Sequence, residues 1–127
     1  MSRKATGRPT DAELAILSVL WDSGPATVRE IHEQLGDGVG YTTVLKFMQI
    51  MTEKGLVHRD ASQRAHVYAA AKPREETRGN LVGDLITRAF DGSAGKLVMQ
   101  ALSSERATPE EIREIRRLLD DLEEGSS

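Results

Sequence analysis

The chain has 127 residues, of which 39% are hydrophobic and 29% charged, and it contains no cysteine. That length suits one compact domain, or one small domain with a helical piece appended. The apolar runs are too short to span a bilayer, and disulfides and thiolate metal sites are excluded.

The net charge of −3 is unevenly placed: residues 1–72 hold 9 Lys+Arg against 8 Asp+Glu, whereas residues 73–127 hold 8 against 12. The acidity therefore belongs to the C-terminal part and does not exclude a polyanionic partner for the N-terminal part. The start, MSRKATGRPT, is basic without an apolar stretch behind it. It does not read as a secretory leader, and the cytoplasm is the expected location.

In chain order, Thr10-Asp11-Ala12-Glu13 reads as a capping box ahead of a first helix. Leu14, Leu17 and Trp21, with Ile16 and Leu20 beside them, give it an apolar face, and Ser23-Gly24-Pro25 ends it. Thr27-Val28-Arg29-Glu30 opens a second, shorter helix striped by Val28, Ile31 and Leu35, and Gly36-Asp37-Gly38 stops it. A third helix is predicted from Tyr41 to Lys54, with Val44, Phe47, Met48 and Met51 on one face. At 100° per residue, Thr42, Lys46, Gln49 and Glu53 fall opposite, with Thr43 and Ile50 at the edge.

The period then changes. Residues 56–60 and 65–69 read as two short strands joined through Ala61-Ser62-Gln63-Arg64. Three helices and a hairpin give the order of a winged helix, whose third helix enters the major groove. After Lys72-Pro73 the chain is helical again. One helix runs from Arg74 to about Phe90 despite Gly79 and Gly83, one is capped by Ser93 and runs through Leu102, and one begins behind Thr108-Pro109-Glu110-Glu111. The expected organisation is a winged-helix domain over residues 1–72 and a helical dimerisation domain over 73–127, mainly α overall.

An outward helix face is ordinarily just solvated. Here it follows a capped helix and precedes a hairpin, and Thr, Gln and Lys can address base edges or phosphates. The candidate DNA contacts are Tyr41, Thr42, Thr43, Lys46, Gln49 and Ile50, with Thr27 at the preceding helix start and Arg59, Ser62, Gln63 and Arg64 on the wing. The candidate dimer surface is Leu81, Leu85, Ile86, Leu97, Ile112, Ile115, Leu119 and Leu122, because a small three-helix piece has little core of its own. His32, His58 and His66 lack ligand-like spacing, although His58 and His66 are placed to face each other across the hairpin. Gly36-Asp37-Gly38-Val39-Gly40 is glycine-rich but is followed by no Lys-Ser/Thr, so it is a turn. No catalytic constellation, metal set or cofactor motif stands out, so an enzyme is not expected. The rival reading is a winged helix that docks proteins instead of DNA.

Several stretches are similar to the penicillinase-repressor family, the BlaI/MecI/CopY group. They are Glu13-Leu14-Ala15-Ile16-Leu17 with Leu20-Trp21, residues 26–35, Gly40-Tyr41-Thr42-Thr43-Val44, Glu53-Lys54-Gly55-Leu56-Val57 and Arg64-Ala65-His66-Val67-Tyr68. The likeness covers residues from about 9 to 122. It implies an N-terminal winged helix, a C-terminal dimerisation region and repression of genes by a homodimer on a double-stranded operator. In some members a membrane sensor metallopeptidase signal leads to a cut at an Asn-Phe bond; the matching place here is Gln100-Ala101. The copper-responsive members use a cysteine pair, which this chain lacks.

Overall fold

Helix starts are fixed locally in this protein. A computed structural model describes residues 8–125; the basic start read above for targeting lies, apart from Arg8-Pro9-Thr10, outside them. The first helix, α1 (Asp11–Ser23), has the Thr10–Glu13 capping box with both reciprocal bonds formed. After strand β1 (Ala26–Thr27), α2 (Val28–Leu35) has the Thr27–Glu30 box, also complete. Helix α3 (Tyr41–Lys54) ends at Gly55, whose left-handed φ of 81° lets its N–H turn back to the Met51 and Thr52 carbonyls.

A hairpin of β2 (Val57–Asp60) and β3 (Val67–Ala70) follows, then α4 (Arg74–Ala89), α5 (Ala94–Ser103) and α6 (Pro109–Gly125). The three strands form one antiparallel sheet in the order β1-β3-β2, with Ala26 opposite Tyr68. Three helices, a short strand and a hairpin make a winged helix, and the helical region follows it in the chain. Among the described residues no helix is long and apolar enough to cross a membrane.

Two local expectations are corrected. β3 begins at Val67, not Ala65, and the register sets His58 opposite Ala69, so His58 and His66 do not face each other. β1, absent from the sequence reading, adds a third strand beside β3.

The first core is built where these elements meet. Ile16, Leu17 and Leu20 of α1, Val28 and Ile31 of α2, Val44, Met48 and Met51 of α3, and Ala26, Val57 and Tyr68 of the sheet are all buried. Glu13 is buried with them. Its Oε1 accepts from Lys54 Nζ at 2.8 Å, which ties the start of α1 to the end of α3. A carboxylate out of water needs such a partner, since an unpaired buried charge costs several kcal/mol.

By compactness the chain divides into residues up to Leu81 and residues from Val82 onward, a limit that falls inside α4. The second unit contains the end of α4, α5 and α6. Ser93 caps α5, and the Thr108–Glu111 box caps α6. None of α4, α5 and α6 fully buries a side chain. Where α5 meets α6, an open cleft of about 370 Å³ is lined by Ala101, Leu102, Ala107, Ile115 and Leu118 together with Arg106, Glu111 and Glu114.

Candidate nucleic-acid interface

α3 is anchored from beneath and open above. Val44, Met48 and Met51 are fully buried, while Thr42, Thr43, Lys46, Gln49 and Glu53 are exposed. Tyr41 and Ile50 are exposed large side chains at 49% and 37%. Tyr41 has a neighbour: its ring meets His32 edge-on with centroids 5.9 Å apart. His32 Nε2 lies 2.8 Å from the Val39 carbonyl oxygen, so this histidine braces the α2–α3 turn.

The helix start differs from its neighbours. α1 and α2 each have a threonine box, but the N-cap of α3 is Gly40, which makes no side-chain capping bond. The first-turn amides of α3 therefore meet no capping side chain, and such amides suit an anionic oxygen. The signal was legible: Gly40 stands where the other two starts have threonine.

Among the described residues some cations are already paired, and others, Arg29 and Arg113 among them, are not. Lys54, Lys72, Arg74 and Arg78 all have ion-pair partners. Lys46 on α3 and Arg59 and Arg64 on the hairpin are exposed and have none among the described residues. At the hairpin tip, Asp60 accepts from the Ser62 N–H at 2.9 Å, and bonds from the Ser62 side chain and backbone hold its carboxyl below the usual range. Ser62, Gln63 and Arg64 are exposed around that turn. Thr27 is placed differently: its hydroxyl is engaged with Glu30 in the capping box.

On the helical region, Leu85, Leu119 and Leu122 are about half exposed, whereas Leu81, Ile86, Leu97, Ile112 and Ile115 are half-buried. Sequence reasoning missed Val82, Val98, Met99 and Leu118, which are also exposed. The Leu97-Val98-Met99 run and the Leu118-Leu119 pair were the available signals. Gln100 and Ala101 lie exposed inside α5. The Gln100 carbonyl accepts from Ser104 N at 3.2 Å and from Ser104 Oγ at 2.8 Å. Among the described residues no group of His, Cys, Asp and Glu could hold a metal ion.

Residues 9–121 match the family model described as penicillinase repressor. The chain belongs to the penicillinase repressor family. It is 34% identical over 118 residues to the transcriptional regulator BlaI of Mycobacterium tuberculosis, in two strains, covering 91% of this chain and 85% of that protein. Among solved structures it resembles a transcriptional regulator from Thermotoga maritima with a TM-score of 0.50 at 22% identity, over 95% of this chain and 83% of the other. Penicillinase repressors are transcriptional regulators and not enzymes, and regulation of transcription implies work on DNA. The winged helix of this chain is the element suited to it.

Proposed function

We propose that this repressor acts in the cytoplasm as a homodimer on a pseudo-palindromic operator, with a winged helix over residues 1–72 on each half-site and residues 73–127 joining the copies. The observation that carries the reading is the open, uncapped start of α3. Thr42, Thr43, Lys46 and Gln49 are exposed beside amides that no side chain caps. In the major groove Thr and Gln address base edges, Lys reaches guanine or phosphate, and the amides receive a phosphate oxygen. Tyr41 and Ile50 contact sugar or base methyls at the edge of that footprint. Arg59, Ser62, Gln63 and Arg64 take the adjacent backbone, and Thr27 approaches it at the start of α2.

The second half of the reading rests on the helical region. It buries none of its own side chains completely yet exposes Leu85, Leu118, Leu119 and Leu122. A second copy supplies the missing cover, as symmetric oligomers commonly do. The regulated genes answer β-lactam or related cell-wall stress. Repression ends when a membrane sensor metallopeptidase pathway cuts at Gln100-Ala101 and so unlinks the half-sites, which then lose the gain in effective concentration.

The decisive experiment is a mobility-shift titration of full-length protein on genomic fragments at two salt concentrations, with sedimentation in parallel. The expected result is a dimer that retards a specific fragment and weakens as salt rises. A chain that retards no fragment, while binding other proteins, would be a docking module.

A further inference from the structure

The stretch that leads the chain into α3 is loose by composition. Gly36-Asp37-Gly38-Val39-Gly40 is three-fifths glycine, and glycine gives up more backbone freedom on folding than any other residue. Both ends of the stretch are nevertheless held by one residue, His32, in the last turn of α2. At the entry, the His32 carbonyl accepts from the Gly36 N–H at 3.3 Å. Near the exit, His32 Nε2 lies 2.8 Å from the carbonyl oxygen of Val39, seven residues on. A carbonyl can only accept, so Nε2 carries a proton. Just past the exit, the same ring meets Tyr41 edge-on, with centroids 5.9 Å apart and planes at 79°.

The starts of α1 and α2 are fixed by their own threonines, whereas Gly40 at the start of α3 has no capping side chain. The restraint on that start comes from α2 instead. Each contact of His32 is modest alone, but they restrain different things. The hydrogen bond fixes the backbone one residue before Gly40, and the ring pair fixes the side chain one residue after it. His32 is itself half-buried. Tyr41 is half exposed, so one edge of its ring is held while the rest is open to a ligand.

We infer that His32 is a positioning residue for DNA recognition: through Val39 and Tyr41 it sets the stance of Tyr41 and of the first turn of α3 on the duplex. The inference rests on the reading of α3 as the helix that meets DNA. A residue that merely braced a loop would support the fold and affect all binding alike. A positioning residue supports specific recognition, and its effect passes through Tyr41.

The probe is the duplex that the full-length chain selects from random-sequence DNA, with a scrambled duplex of equal length beside it. H32L removes both ring contacts and should weaken binding to the selected duplex about tenfold, with binding to the scrambled duplex changed by no more than about twofold. H32Q offers an amide N–H to Val39 and H32F keeps a ring against Tyr41, so each should recover part of the loss. A double-mutant cycle tests the route. In a Y41A background, H32L should weaken binding by only about threefold or less. Equal losses in the two backgrounds would overturn the inference, as would equal weakening on both duplexes or no weakening at all. If H32L does not fold, H32F and H32Q carry the cycle: removing Tyr41 should lower the affinity of H32F relative to H32Q, and an unchanged ratio would overturn the inference. Nitrogen NMR of the free protein in mildly alkaline buffer should show His32 protonated at Nε2; a proton on Nδ1 alone would overturn it, because the bond to Val39 would be missing. K46A separates the inference from the reading beneath it. If K46A weakens specific binding and H32L does not, only the positioning role fails. If K46A, Y41A and H32L all leave both duplexes bound as before, α3 is not the reader, and the inference falls with that reading.

Discussion

The two units begin their helices alike and finish them differently. Thr10 and Thr27 in the first unit and Thr108 in the second each form a complete capping box with the glutamate three residues on. The first unit then closes a core in which Ile31, Val44, Met48 and Met51 lose all contact with water. In the second, α5 and α6 leave every side chain at least partly exposed. Capping and apolar periodicity thus specify where a helix starts and which face is apolar. They do not supply what covers that face. In the first unit the cover comes from three helices and a sheet of the same chain. In the second, by the proposal above, it comes from another molecule.

The largest expected effect tests the self-contained half. Met48→Ala removes a fully buried side chain and should cost about 2–5 kcal/mol of stability. Denaturant unfolding followed through Trp21 should show the same loss at every protein concentration. A loss that shrinks as concentration rises would mean the first unit also depends on its partner. Next, Leu119→Asp, at a position 53% exposed, should weaken association by about 2 kcal/mol or more while leaving the winged helix folded. Sedimentation should show monomers; a stable dimer would erase the contrast between the units.

Lys46→Ala should weaken specific operator binding by about 1–3 kcal/mol if it contacts a base edge. Equal weakening on every sequence would assign it to phosphate. Replacing Arg59 and Arg64 together by Ala should lower the slope of log K against log salt by up to about two, since each phosphate contact contributes slightly under one. An unchanged slope would place the wing off the duplex.

The smallest effect is a titration. Bonds from Ser62 hold the Asp60 carboxyl below the usual carboxylate range, so the folded pKa is depressed relative to the unfolded one. Its contribution to the hairpin tip is therefore present above the unfolded value and lost as pH falls through the lowered one. Carboxyl shifts followed by NMR should show Asp60 titrating below the ordinary aspartate range, and Ser62→Ala should move it back up.

Much of this was legible because the signals are local. The threonine boxes, the stop at Gly55 and the polar face of α3 are each specified within a turn or two of helix. The parts that escaped depend on residues distant in sequence. Glu13 reads as a capping residue, but its burial against Lys54, 41 positions away, has no local sign. The same is true of the Arg74 guanidinium over the Trp21 ring. β1 is two residues long, too short for an alternating pattern, and Thr27 serves both the strand and the helix cap. The sequence pattern starts the second strand of the hairpin at Ala65, two residues early, because Ala65 and His66 continue an alternation that the pairing does not use. For the candidate interface, the sequence could name polar side chains on a helix face. It could not show which cations already had partners.

The serines at the end of α5 bear on timing. Ser103 Oγ bonds the Met99 carbonyl at 2.7 Å, and Ser104 doubles the bond to Gln100. A protease needs the chain extended, so the cut proposed at Gln100-Ala101 would have to wait for that last turn to open. When opening and closing are fast, cleavage tracks the open population. Each kcal/mol holding the turn closed would then lengthen the repressor's lifetime about fivefold. By the proposal above, the delay between signal and induction would then depend on that turn of the helix as well as on the signal itself.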